Sequence, residues 1–199
     1  MQSKSNRLLA LAAKRQVLRA RDVLALGIPR NYLQRFVRKG ILRKLGRGLY
    51  IPTSARVTEH LSLVEASHKV PKGVICLLSA LQFHKFTTQA PHQVWMTIDV
   101  KAWAPRVISP RVRFVRMSGR ALHFGVKEYA VSGATLRVYN PAKTVADCFK
   151  FRNKIGSDVA LEALRESRRV KKVSMDDLWA AAKVCRVANV MRPYMESLE

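Results

Sequence analysis

Acidic residues are scarce in this 199-residue chain: 13 Asp and Glu stand against 37 Lys and Arg, for a formal net charge of +24. So few carboxylates leave little material for acid–base or metal chemistry, and no paired-carboxylate arrangement appears. Gly-rich phosphate loops, a G-x-S-x-G elbow and an HExxH pair are absent as well. The histidines, His60, His68, His84, His92 and His123, form no metal-binding spacing with one another or with cysteine. The three cysteines, Cys76, Cys148 and Cys185, share no short spacing and sit in apolar contexts. They read as buried thiols in a reducing compartment, which excludes a disulfide framework and a zinc site. Long hydrophobic runs are missing too. The apolar stretch Leu8–Ala13 is too short for a signal-peptide core and is followed at once by Lys14 and Arg15. Val74–Leu81 falls far below the ~20 residues of a membrane span. The expectation is a cytoplasmic protein with no metal, no cofactor, no catalytic residues and no enzymatic activity.

What is present is positive charge on a globular frame: 48% of residues are hydrophobic and 25% charged, which argues against disorder. The length allows one or two domains. A field of this size draws in polyanions over long range. Nucleic acid is the natural partner, because no long basic amphipathic helix stands apart for a membrane surface. The charge is uneven. Residues 1–56 hold 14 Lys and Arg against one acid, Asp22.

That dense region has an order. Arg19 to Leu26 places Ala20, Val23, Leu24 and Leu26 on an expected buried stripe. Gly27 suits a left-handed helix end and Pro29 the first turn of the next helix. The second helix is expected from Arg30 to about Lys39, with Leu33, Phe36 and Val37 inward and Gly40 closing it. Outward lie Arg30, Asn31, Tyr32, Gln34, Arg35 and Arg38. Arginine can grip guanine bidentately, Asn and Gln can do so with adenine, and Tyr32 can meet sugar or phosphate. Ile41–Leu45 and Leu49–Ile51 then read as strands joined by Gly46-Arg47-Gly48, two glycines that permit positive φ at a hairpin tip. Arg43, Lys44 and Arg47 make this hairpin a basic wing for DNA backbone or minor groove. The whole is a winged helix-turn-helix, preceded by a helix Ser5–Ala13, capped by Ser5, with Leu8, Leu9, Ala12 and Ala13 inward.

The fold class expected is α+β: the winged module at residues 1–56, then a mixed α/β domain at 57–199 with a small sheet and C-terminal helices. A polar hinge, Thr53–Arg56, joins them, and 57–92 reads as a helical connection leading into the second domain. This connection holds helix Thr58–Val70, a strand or turn at Val74–Leu77 and a helix capped by Ser79. Strands follow at Val94–Val100 and Arg111–Met117, with a hairpin around Ser132, Gly133 and Ala134. Asn140 and Pro141 start a helix to about Phe151. Further helices are expected at Ser157–Arg168, Leu178–Cys185 behind a Ser174 cap, and Ala188–Leu198.

Three features of the second part invite chemistry. Asp99 and Lys101 end a strand as an acid-x-Lys fragment, half of a metal-dependent nuclease site that would need further carboxylates. Lys143 and Thr144 stand in the first turn of their helix, where free N–H groups attract anions, and Asp147 is an i+4 partner of Lys143; a well-capped helix docked on the sheet is the favoured reading over a phosphate site. Arg165, Arg168, Arg169, Lys171 and Lys172 offer a second basic face to lengthen a DNA footprint.

The segments "GILRKLGRGLYIP", "ICLLSALQFHKFTTQAPHQVWMTI" and "LRVYNPAKTVADCF", in that order, resemble the AbiEi family, antitoxins of type IV toxin–antitoxin systems linked to abortive phage infection. The resemblance runs from about Ser5 to Glu196. It implies a winged helix-turn-helix and a C-terminal antitoxin domain, repression of the protein's own promoter at inverted repeats, and a nucleotidyltransferase-like toxin as functional counterpart without a necessary stable complex. It implies two copies per operator from a monomer or weak dimer off DNA. It assigns DNA reading to Arg30, Asn31, Tyr32, Gln34, Arg35 and Arg38 and backbone contact to Arg43, Lys44 and Arg47, and it marks Asn140, Pro141, Lys143, Thr144 and Asp147 as a family segment. At 143 this chain has Lys where many relatives have Arg, which changes the donor geometry toward a carboxylate or phosphate. The alternative is a nuclease or toxin-modifying enzyme in the second domain.

Overall fold

The computed structural model describes residues 3–14, 17–54, 60–132 and 134–198. The basic region folds around a small core of Leu8, Val23, Ile28, Leu33, Phe36, Leu42 and Tyr50. Helix α1 (Lys4–Lys14) contributes Leu8 and Ala12 to it, while Leu9 is exposed and Ala13 faces outward. The same narrowing occurs in α2 (Ala20–Ala25), which follows the short strand β1 (Leu18–Arg19). Ala20 and Val23 are buried there, but Leu24 and Leu26 are not. A short helix on a small core buries only a slim stripe, so the wider stripes expected from composition are corrected. Ser3, not Ser5, meets the free amides at the start of α1, accepting from the Asn6 N–H at 3.2 Å.

After α3 (Arg30–Arg38) the wing forms from β2 (Leu42–Gly46) and β3 (Leu49–Pro52), in a sheet of order β1-β3-β2. The register shifts between Lys44 and Gly46, so Gly46 stays in β2 beside an irregularity, and only Gly48 takes the left-handed turn position, at φ +75°. One glycine, not two, supplies the turn. Thr53 is fixed by its Oγ1–H to the Gly40 carbonyl (2.6 Å) and its N–H to Ile41. The rest of the expected hinge, Ala55 and Arg56, and the expected helix start at Thr58 lie outside the described residues, as does Gly133.

The second part is built on a mixed sheet of order β6-β5-β4-β8-β7. Its elements run α4 (Leu61–Lys69), β4 (Val74–Ile75), α5 (Leu77–His84), β5 (Val94–Asp99), β6 (Val112–Met117), α6 (Gly119–His123), β7 (Val126–Val131), β8 (Ala134–Tyr139), α7 (Pro141–Lys150), α8 (Arg152–Ile155), α9 (Ser157–Arg169), α10 (Met175–Cys185) and α11 (Ala188–Glu196). Strands β7 and β8 form the expected antiparallel hairpin. The stretch expected to be a helical connection does more: β4 is the middle strand, antiparallel to β5 and parallel to β8. Ser79 caps nothing. It lies inside α5, whose cap position is Cys76, and its hydroxyl accepts the Trp95 N–H at 2.9 Å. The start of α5 follows β4 so closely that the serine is carried past the helix entry. Ser174 does cap α10, accepting from the Asp177 N–H.

Alternation along the strands splits the apolar residues between two faces. Val74, Trp95 and Tyr139 face a core with α5, α7, α9 and α10. Ile75, Met96, Leu136 and Val138 face the other way, against Leu63, Val64 and Ala66 of α4 and against Val17, Leu49 and Ile51 of the winged module. The wing base thus lies within the cover of the larger sheet. No helix among the described residues is long and apolar enough to cross a membrane.

Cys76, Cys148 and Cys185 are free and buried, as expected. Burial raises all three thiol pKa values, that of Cys185 to about 12. Thiol reagents attack the thiolate. Ellman's reagent at pH 8 should therefore leave the native protein unlabelled over minutes and titrate all three thiols in guanidinium. Rapid labelling of the native protein would contradict this packing.

Candidate nucleic-acid interface

The placement of α3 follows from the turn before it. Gly27 takes φ +71°, a conformation that costs a residue with Cβ, and its N–H donates to Leu24 at 2.8 Å. Ile28 is fully buried, and Pro29 is the cap residue immediately before Arg30. Leu33 and Phe36 hold the helix to the core, with Val37 half-buried. Asn31, Gln34, Arg35 and Arg38 are exposed, and residues 31, 34 and 38 follow one another along one face at helical spacing. From Arg30 to Pro52 there is no acidic residue, so nothing in this stretch offsets its charge.

Two of the expected reading residues already have partners. The Arg35 guanidinium donates to Ser5 Oγ at 2.8 Å and lies 4.5 Å over the Tyr32 ring. That ties Arg35 to α1 and covers one face of a half-buried Tyr32. Among the described residues, no hydrogen bond or ion pair engages the side chains of Arg30, Asn31, Gln34 or Arg38, and all four are exposed. Arg43 and Lys44 are exposed on β2. At the wing tip, Arg47 has its carbonyl hydrogen-bonded to His68 Nε2 of α4 at 2.7 Å. The tip is therefore docked on the second part rather than projecting freely. Arg47 and Arg30 both line a cleft of about 720 Å³ with Arg19, Arg21 and Arg137. Sequence reasoning missed Arg19, Arg21, Arg137 and His68, because no local motif marks residues that three distant segments bring together.

Within the second basic face, Arg168 donates to the Val173 carbonyl, Arg169 forms a two-pronged ion pair with Glu166, and Lys172 donates to the His84 carbonyl. Arg165, Arg169, Lys171 and Lys172 are all exposed, and Arg168 is half-buried.

The segment Asn140–Asp147 turns out to be interior. Asn140 caps α7, its Oδ1 accepting the Lys143 N–H at 2.8 Å, and Pro141 follows at the first turn. Lys143 and Asp147 are both fully buried, with Nζ 2.5 Å from the carboxylate. The ammonium also sits 4.1 Å over the Tyr139 ring and 3.6 Å from Met117 Sδ, and Cys185 Sγ–H donates to Asp147 Oδ1 at 3.4 Å. Thr144 Oγ1–H donates to the Asn140 carbonyl at 2.9 Å. Gly125 adopts φ +73° against this cluster, and a Cβ there would stand 2.8 Å from Lys143 Cβ. Burial raises the Asp147 carboxyl pKa, and the Lys143 ammonium opposes that rise. A solvent-borne phosphate has no access to these groups, and the segment is the capped, docked helix favoured from the sequence over an anion site. The ammonium is consumed by a carboxylate four residues on.

Asp99 Oδ1 accepts the Lys101 N–H at 2.8 Å, and Arg116 donates to the Asp99, Val100 and Ala102 carbonyls. The acid-x-Lys fragment forms a braced turn. Among the described residues no group of three or more His, Cys, Asp or Glu could hold a metal ion.

Together, the corner, helix α3, the two-stranded wing and the mixed α/β unit define a winged helix-turn-helix fused to an α+β body. The family profile described as "Transcriptional regulator, AbiEi antitoxin" (AbiEi_4) matches residues 6–53, the winged module, and bears out the resemblance over that segment. Comparison with curated proteins gives no match. Among solved structures, the RV2827C protein from Mycobacterium tuberculosis superposes with a TM-score of 0.63 at 13% identity, over 98% of this chain and 78% of that one. At that identity the likeness is one of fold.

The buried pair makes a testable claim about α7. Removing one partner strands a charge in the core, which costs about 3–5 kcal/mol, while replacing both by apolar residues is far milder. In urea unfolding, Asp147→Ala should lose stability on that scale, and Lys143→Met combined with Asp147→Leu should recover much of it. Equal losses in the single and double variants would show that packing, not charge pairing, is what the segment supplies.

Proposed function

We propose that this chain is a DNA-binding transcriptional regulator of the AbiEi antitoxin type, acting without enzymatic chemistry. The observation that carries this is the exposed face of α3. Asn31, Gln34 and Arg38 stand outward while Leu33 and Phe36 fix the helix to its core. Asn and Gln pair bidentately with adenine and Arg with guanine, and an α-helix of this size fits the major groove. Arg35, braced by Ser5 and Tyr32, serves as a pre-oriented contact. Arg43 and Lys44 of β2 supply cations for the flanking phosphates. The net charge of +24 supports long-range capture of the duplex and a steep dependence on salt.

The site proposed is an inverted repeat in the protein's own promoter, with one copy on each half-site, so that binding represses the operon. The second part, built on the larger sheet, is the unit proposed to counteract a nucleotidyltransferase-like toxin, acting in the cytoplasm without a lasting complex. For Asp99 and Lys101, the braced turn favours a structural role over a nuclease one.

Fluorescence anisotropy with the DNA upstream of the gene tests the reading. Gln34→Ala and Arg38→Ala should each weaken binding by about 1–3 kcal/mol, with relaxed preference at one base pair per half-site. Lys44→Ala should instead weaken all duplexes alike and flatten the salt dependence by about one phosphate contact. Unchanged affinity in both α3 variants would overturn the assignment.

A further inference from the structure

The cleft between the winged module and the second part has the chemistry of a site. Its walls come from three places: Arg19 and Arg21 from the entry to α2, Arg30 and Arg47 from the start of α3 and the wing tip, and Arg137 from β8. Guanidinium groups are planar forks matched to phosphate oxygens, and five arginines line this cleft, with Glu128 as the carboxylate among the lining residues. The existing pairings leave most of this charge unspent. Arg21 lies 3.6 Å from Asp22, and Arg137 donates to the Lys72 carbonyl at 3.1 Å.

A second, independent observation points the same way. The buried Nε of Arg19 and the buried Oγ of Ser67 have no hydrogen-bond partner among the described residues, and both residues line this cleft. Buried donors without acceptors are uncommon, and a charged one is the costliest to leave unmet. Both residues therefore bring an unmet polar atom to the cleft wall. His68, also in the lining, holds the wing tip in place through the Arg47 carbonyl, so the opposing walls are fixed before any ligand arrives.

We infer that this cleft is a phosphate-binding site bridging the two parts of the chain. The occupant is a run of phosphate groups, supplied either by the backbone of a duplex seated on α3 or by a free phosphorylated nucleotide. The volume of about 720 Å³ suits either source. Because Arg30 and Arg47 border the cleft, the duplex form of this inference rests on the DNA-reading role of α3.

Inorganic pyrophosphate is the probe. Calorimetric titration into the full chain should give saturable binding at one site per chain. Arg137→Gln and Ser67→Ala, which removes a single hydroxyl, should each weaken it at least severalfold, while Arg38→Ala leaves it unchanged. The source is then read with DNA. If the backbone fills the cleft, pyrophosphate competes with a duplex, and Arg137→Gln lowers the salt slope of duplex binding by about one. If a free nucleotide fills it, pyrophosphate binds alongside the duplex and that slope stays put. Pyrophosphate binding that is absent, or indifferent to both cleft variants, together with an unchanged salt slope, overturns the site. Since Arg137 and Ser67 lie outside α3, failure here leaves the Gln34 and Arg38 results to stand or fall separately.

Discussion

The larger sheet has two apolar faces, and both must be covered. Helices α5, α7, α9 and α10 cover one; α4 and the base of the wing cover the other. Without Val17, Leu49 and Ile51, the side chains of Ile75, Met96, Leu136 and Val138 would lose part of their cover, at about 25 cal/mol for each Å² of apolar surface returned to water. The winged module is therefore part of how the second unit buries its sheet. This packing fixes the position of α3: its core residues Leu33 and Phe36 share a cluster with Tyr50 of β3, and β3 is seated on the sheet.

A chain this rich in cations must also fold against its own repulsion, and its few acids are placed accordingly. Asp147 neutralises Lys143 inside the core, Glu65 pairs with Lys69, and Glu166 grips Arg169. Asp99 and Asp177 are spent on a turn and a helix start. The stretch from Arg30 to Pro52 has no acid at all. The carboxylates go where structure needs them, and the surface proposed to meet DNA keeps its field. A surface ion pair contributes little on its own, so the buried pair and the uncompensated stretch matter more than the tally of bridges.

The winged module was largely legible from sequence because its signals are local. Gly27, Pro29 and Gly40 punctuate, Leu33 and Phe36 repeat at helical spacing, and Gly48 turns the wing. Asn140 and Ser174 likewise announced their helices through hydrogen bonds within three residues. What was not legible depends on distant partners. The two residues of β4 look like a turn until β5 and β8 pair with them. Nothing near Lys143 says that Tyr139, Met117 and Cys185 will close over it, so the pair with Asp147 is legible as an ordinary intrahelical one but its burial is not. Leu9, Leu24 and Leu26 read as core because they are apolar, yet the core they border is too small to take them. Arg35 read as a free groove contact, and only the fold brings Ser5 to it.

The docked wing tip changes the division of labour within the module. A freely projecting wing would offer Arg47 to the DNA backbone or to a minor groove, the two contacts expected from the sequence. Here the Arg47 carbonyl is held by His68 and its side chain lines the cleft with Arg19 and Arg137. The bond to His68 holds the backbone of the wing tip against α4, and Leu49 and Ile51 anchor β3, while the Arg47 side chain stays exposed. Under the proposed DNA-binding role, base reading falls to Asn31, Gln34 and Arg38 and backbone contact on the wing to Arg43 and Lys44, while Arg47 joins the arginines that line the cleft. On this account His68 matters for where the wing's charge is presented, although it touches neither α3 nor a base.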